Sequence, residues 1–198
     1  MSRTFNDSLP SVAIHPVPKH SMPAAINSLK PAAGRSASAM REEAVTTASV
    51  GMGQIAILSP EGVGTAVLGS CVGLTLYDPN LRFAAMAHIV LPSSDNRTGG
   101  VGKFADTAVE AMVTKLRSFG IDPAKLTAKL TGGASMFETK GPFQIGKQNI
   151  DAVLERLAAC RIRLLSEHVG GTQGRRVTFQ CRTGQLLVEV IGSTPIVI

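Results

Sequence analysis

Thr65, Cys71 and His88 are the residue types in this chain that can do acyl chemistry together. They lie in Thr65-Ala-Val-Leu-Gly-Ser-Cys71 and Met86-Ala-His88-Ile-Val-Leu-Pro92. A thiol becomes a nucleophile when a nearby base takes its proton. It also needs a backbone that a substrate carbonyl can approach. Gly69 and Ser70 precede the cysteine and Gly73 follows it, and small residues permit that approach. A tight turn there would aim N–H groups at a developing oxyanion. In this reading His88 is the general base, its imidazolium holds Cys71 as thiolate, and Thr65 orients the ring by a hydrogen bond. Residue types alone leave a second reading open. A free cysteine is ordinarily a small buried hydrophobe, a lone histidine on an apolar strand is ordinarily a core residue, and Thr65 is an ordinary strand residue.

The other candidate groups read as structure. Cys181 shares a strand face with Val177 and Phe179, and Cys160 follows Ala158-Ala159, so both read as packing. Three cysteines without short ligand spacing make neither a disulfide framework nor a zinc site. Gly132-Gly133 and Gly170-Gly171-Thr172-Gln173-Gly174 match neither the P-loop nor the dinucleotide fingerprint. They read as turns lining a cleft. Lys103 and Arg175 read as solvated surface charges.

The elements that must position these residues follow from periodicity. Gln54–Leu58 and Gly64–Leu68 are short apolar segments separated by a Ser59-Pro60-Glu61-Gly62 turn. Val72–Tyr77 alternates, Asp78-Pro79-Asn80 turns the chain, and Phe83–Val90 is a second strand closed by Pro92. A helix from about Phe104 carries Val109, Met112, Leu116 and Phe119 as one stripe and ends at Gly120. Leu126, Ala128 and Leu130 alternate as a strand. Asn149 is the expected N-cap of a second helix bearing Ile150, Val153, Leu154 and Leu157. A strand over Arg161–Ser166 and a hairpin of Val177–Cys181 with Gln185–Ile191 complete the domain. This order predicts an α/β fold, a single-domain α/β/α sandwich with a mixed sheet and three long glycine loops, Ser93–Gly102, Gly132–Gly146 and Gly170–Gly174.

The chain has 198 residues and is 44% hydrophobic, enough for one sizeable core. Residues 1–48 read as a disordered Pro/Ser-rich basic arm, and residues 49–198 as the folded domain. Five of the eleven prolines fall in the arm, and its apolar residues show no sustained period. A short helix over Arg41–Ala48 also fits the composition. The net charge is +6, but five basic residues against Asp7 in residues 1–41 account for most of it. The domain carries no dense Lys/Arg block, which argues against a nucleic-acid site. No apolar run approaches the roughly 20 residues that span a bilayer, and the start lacks a secretory leader. The reading is a cytoplasmic protein.

The motifs themselves resemble a known family. Thr65 through Pro79, TAVLGSCVGLTLYDP, is similar to the core of the chemoreceptor glutamine deamidases, the CheD family. The likeness continues through AMAHIVLP at 85–92, GKFADTAVEAM at 102–112, GGASMF at 132–137, IGKQN at 145–149 and GGTQGR at 170–175. It spans about residues 52–192. The resemblance implies a Cys–His–Thr triad of Cys71, His88 and Thr65 on an α/β/α sandwich. It implies conversion of glutamines to glutamate on methyl-accepting chemotaxis receptors with no cofactor, and, in some members, binding of a CheC-type phosphatase. It also implies contact with the membrane only through receptors, and a bacterial setting in which the acid-poor N-terminal stretch is not an organelle transit peptide. The chain departs from the family pattern at His168, where an acid is common, and at Thr172, where asparagine is common. Two rivals remain on residues alone: an adaptor for the phosphatase and receptors, and a cysteine hydrolase of other specificity, such as a peptidase or transglutaminase-like enzyme.

Overall fold

The structure is a computed structural model that describes residues 45–95, 97–136 and 144–198. Residues 1–44, most of the expected arm, lie outside the described residues. Among the described residues the chain opens with β1 (Thr47–Ser49), β2 (Ile55–Leu58), β3 (Val63–Leu68), β4 (Val72–Asp78) and β5 (Phe83–Ile89). Then come α1 (Ala105–Ser118), β6 (Thr127–Gly132), α2 (Ile145–Ala159) and β7 (Arg163–Val169). β8 (Arg175–Gln180), β9 (Gln185–Val190) and β10 (Ile196–Val197) follow. The stretch for which a helix over Arg41–Ala48 was an expectation instead gives strand β1 from Thr47. Residues 41–44 are outside the described set.

The strands form two mixed five-stranded sheets, ordered β1-β3-β8-β9-β10 and β2-β5-β4-β6-β7. Each mixes parallel and antiparallel neighbours: β1 runs parallel to β3 and β6 parallel to β7. The β6–β7 pair needs a long crossover, and α2 supplies it. The expected α/β class with mixed pairing is what the chain forms. The layers run sheet, sheet, helices, because both helices cover the same face of the second sheet.

Side-chain alternation assigns each strand face to a layer. On β4 and β5, Val72, Leu74, Leu76, Ala85, Ala87 and Ile89 pack under the helices. The opposite face sends Tyr77, Ala84 and Met86 into a second core, where they meet Leu68, Val177, Phe179 and Leu186 of the first sheet. Each fully buried leucine of this kind contributes roughly 1.5–3 kcal/mol. The β4–β5 turn is held by Asp78, whose Oδ1 accepts from the backbone N–H of Asn80 at 2.8 Å and of Leu81 at 3.2 Å.

Two helix expectations change. Phe119 is not part of the buried stripe of α1. It is the C-cap, 58% exposed, with its ring 5.9 Å from that of Phe83. Asn149 is not an N-cap: α2 begins at Ile145, four residues earlier, behind Gln144. Asn149 sits one turn before Val153 on the buried stripe of the helix.

Candidate active site

β3 ends at Leu68, and the chain turns through Gly69 and Ser70 before entering β4 at Val72. Cys71 therefore lies on the turn itself, one step outside the β4 ladder. Its backbone is clamped by the loop after β6. The Gly133 N–H donates to the Cys71 carbonyl at 2.8 Å, and the Ala134 N–H donates to the Gly69 carbonyl at 2.8 Å. Gly132 makes this approach possible. Its φ is +99°, and a Cβ there would collide with the Cys71 carbonyl oxygen. The third glycine loop joins the same cluster, with Gly170 N–H on the Gly132 carbonyl at 2.9 Å and Ser135 N–H on the Gly171 carbonyl at 2.8 Å. A cavity of about 370 Å³ opens among them, lined by Ser70, Gly133, Ala134, Met136, Lys147 and Gly171. The cleft expected from the glycine motifs is present here.

His88 comes from β5, the antiparallel neighbour of β4. In register, Val72 opposes Ile89 and Gly73 opposes His88, so Cys71 is at the level of Val90. Cys71 packs against the core between the two sheets, and alternation turns His88 to the same side. They are diagonal neighbours on one face of an antiparallel pair. Such positions are roughly 7–8 Å apart and within reach of a ring side chain. Gly73, between them, has no side chain because Leu68 fills the place: a Cβ there would meet Leu68 Cδ1 at 2.8 Å.

The imidazole is buried, and its Nδ1 lies 3.1 Å from the Val50 carbonyl oxygen. A carbonyl only accepts, so Nδ1 carries the proton and Nε2 keeps its lone pair. Among the described residues no hydrogen bond joins the Thr65 hydroxyl to the ring, so the orienting bond expected of Thr65 is made by Val50. The Thr65 carbonyl accepts from the Val50 N–H at 2.8 Å, on the residue whose carbonyl meets His88. Thr65 and His88 line a second cavity of about 560 Å³ together with Val50, Met52, Val67 and Arg176. Gly64, Ala66 and Leu68 turn inward on β3, which leaves Thr65 on the alternate face.

Burial raises the Cys71 thiol, with its own backbone N–H acting the other way. Burial also lowers the His88 imidazole, against the Val50 carbonyl. Both directions favour a neutral thiol and a neutral imidazole. The thiolate–imidazolium pair expected from the sequence is not the form this environment favours at rest.

Two residues that sequence reasoning misjudged complete the surroundings. Arg175, expected in solvent, is 4% exposed. Its Nη1 donates to His168 Nδ1 at 2.7 Å and to the His168 carbonyl at 2.6 Å. Its Nη2 donates to the carbonyls of Gly170 and, at 3.5 Å, Gln173. A planar guanidinium with five donors suits converging carbonyls. This one staples the third glycine loop, with His168 as a neutral acceptor. Asn149, fully buried, donates from Nδ2 to the Ser70 carbonyl at 3.1 Å and to the Val90 carbonyl at 3.0 Å. The signal for it was present in the sequence: an amide on the same helical stripe as Val153 and Leu157.

A thiol and an imidazole whose Nε2 keeps its lone pair share one face of adjacent strands, the residue types that thiol-dependent hydrolysis uses. Comparison with known proteins narrows this class. Residues 90–190 match the family model described as CheD chemotactic sensory transduction. The chain is 44% identical over 144 residues to the chemoreceptor glutamine deamidase CheD of Thermotoga maritima, covering 72% of this chain and 91% of that protein. It is 43% identical to a probable chemoreceptor glutamine deamidase CheD of Symbiobacterium thermophilum, over 73% of this chain and 92% of the relative. A third, from Archaeoglobus fulgidus, is 40% identical over 71% of this chain and 90% of its own length. The chain belongs to the CheD family. Among the described residues no helix is long and apolar enough to cross a membrane.

Proposed function

We propose that this chain is a protein-glutamine deamidase. It hydrolyses chosen glutamine side chains of methyl-accepting chemotaxis receptors to glutamate, with release of ammonia, through a thioester on Cys71. The observation that carries the reading is the tautomer of His88. With Nδ1–H given to the Val50 carbonyl, the free lone pair of Nε2 belongs to a ring on the same strand face as Cys71.

The steps follow from these atoms. Nε2 takes the thiol proton as sulfur attacks the carboxamide carbon, and the carbonyl electron pair moves onto oxygen. The Cys71 backbone N–H donates to that oxyanion. Starting from a neutral pair, proton transfer and attack proceed together, so no stable thiolate need be buried. The intermediate collapses, the C–N bond breaks, and His88 returns the proton to departing ammonia. Water, deprotonated by His88, then attacks the thioester. The C–S bond breaks, glutamate leaves, and the sulfur regains its proton. The sum is glutamine plus water giving glutamate plus ammonia, complete without a metal or organic cofactor. Thr65 supports the cycle by holding Val50 through its N–H, the residue whose carbonyl meets the His88 ring.

The same proposal puts the protein in the cytoplasm beside the helical signalling domains of receptors, with a CheC-type phosphatase as a further partner. The test is peptide mass spectrometry of a receptor cytoplasmic domain co-expressed with wild-type protein or with Cys71→Ala. The expected result is amide-to-acid mass gain at specific glutamines with the wild type alone. No gain on any receptor of the same genome would overturn the deamidase reading in favour of an adaptor, and capture of the phosphatase would then be the assay to run.

A further inference from the structure

The β4–β5 ladder stops at Val72 and Ile89. Just beyond it, the two strands are tied by one side chain from α2. Asn149 uses both hydrogens of a single planar amide, one on the Ser70 carbonyl and one on the Val90 carbonyl. Ser70 lies immediately before the nucleophile, and Val90 lies two residues after the base. The amide oxygen of Asn149 is buried without a hydrogen-bond partner. Burying an unpaired acceptor is unfavourable, so an apolar residue would suit this helical stripe better if packing were all that mattered. The two donated bonds offset that cost.

The Ser70 carbonyl and the Cys71 N–H belong to one peptide unit, which is planar and trans. Fixing the direction of that carbonyl fixes the N–H to point the opposite way. We propose that Asn149 is the positioning residue that aims the Cys71 N–H as oxyanion donor and ties its peptide to the strand of His88. This rests on the reading of Cys71 and His88 given above. Asn149 touches no reacting atom. Its amide draws the Ser70 carbonyl toward the helix and so turns the Cys71 N–H away from the helix, on the side where it acts on the Cys71 thiol.

The test separates oxyanion stabilisation from thiol reactivity. Deamidation needs the oxyanion donor, whereas alkylation of Cys71 by iodoacetamide, a displacement at saturated carbon, does not. For Asn149→Ala the expected result is a fall in kcat of about 10²-fold, the effect of losing an oxyanion donor, with KM and the alkylation rate of Cys71 little changed. Asn149→Ser, which retains one hydroxyl donor, is expected to fall between Asn149→Ala and wild type, and it decides the test should Asn149→Ala fail to fold. Val153→Ala, one turn along the same helix and away from the site, controls for lost stability and is expected to keep wild-type kcat. Unchanged kcat in the folded Asn149 variants overturns the proposal. So does a loss of kcat matched by an equal loss of alkylation, or one matched by Val153→Ala. Cys71→Ala in the same assay keeps the two readings apart: residual deamidation there sinks the thiol mechanism itself, whereas an inactive Cys71→Ala beside a fully active Asn149→Ala sinks only the role of Asn149.

Discussion

Cys71 and Cys181 border the same core between the two sheets, from opposite ends. β3 and β8 connect them: Leu68 pairs with Arg175 at the Cys71 end, and Val63 pairs with Gln180 at the Cys181 end. The Cys181 end is closed. Its thiol is fully buried, and its carbonyl accepts from the Tyr77 hydroxyl at 2.8 Å. The Tyr77 ring meets Phe179 edge-on at 5.4 Å. Burial pushes that thiol up to about 12. The Cys71 end is open. There the sheets give way to the Gly69-Ser70 turn and two glycine loops joined by backbone hydrogen bonds, a cavity and a half-buried thiol. The comparison teaches that the core does not decide what a cysteine does. Aromatic packing closes over one thiol, and a loop cluster that withholds side chains leaves the other half-buried, the one the proposed mechanism uses.

The sharpest way to break this comparison is to remove each thiol in turn. Cys71→Ala is expected to abolish receptor deamidation and leave the melting temperature near wild type. Cys181→Ala is expected to keep activity and lose about 0.5–3 kcal/mol of stability in denaturant unfolding. A reversed pattern would undo the contrast. His88→Ala comes next, with an expected loss of about 10²–10⁴-fold in rate, the ordinary worth of a positioned acid–base group. Arg175→Met tests whether the open end needs its staple. Each buried carbonyl left without a donor costs about 1–3 kcal/mol, so thermal unfolding should shift down and activity should fall with it. Thr65→Val keeps the backbone carbonyl that holds Val50 and removes only the hydroxyl. Steady-state kinetics are expected to show a smaller loss than for His88→Ala, and a loss as large would mean that the hydroxyl itself takes part.

The smallest expected effect is a pH dependence. Burial lowers both His88 and His168, and Arg175 adds to the effect on His168. The fold therefore holds both rings neutral where the unfolded chain would bind protons. Their contribution is fully present above about pH 6.5, the ordinary histidine value, and is lost as pH falls through the lowered native values. Thermal melts should drop on acidification, and His168→Gln should drop less. Equal slopes would remove His168 from the account.

Much of this was legible in the sequence because Val72–Tyr77 alternates and Phe83–Val90 is an apolar run closed by Pro92, and these segments form β4 and β5. The three candidate residues were visible as chemistry-bearing types, Thr65 and Cys71 close to glycines and His88 on an apolar strand. What was not legible has physical causes. Alternation says which residues share a face, not which sheet a strand joins, so the division into two sheets went unseen. Asn149 has the residue type of an N-cap, but its place on a buried stripe decided its role. Arg175 looked solvated because a cation satisfied by carbonyls leaves no acidic partner in the sequence to point to it. The Val50 carbonyl holds His88 through its backbone, which no side-chain pattern can announce.

The most direct test of the open-end thiol as nucleophile is limited alkylation of the native protein with iodoacetamide. Peptide mass spectrometry would follow modification of Cys71 and Cys181 while deamidation of a receptor domain is assayed on the same samples. The account expects residual activity to fall in proportion to modification of Cys71, with Cys181 untouched. Full activity in protein whose Cys71 is completely alkylated would contradict it.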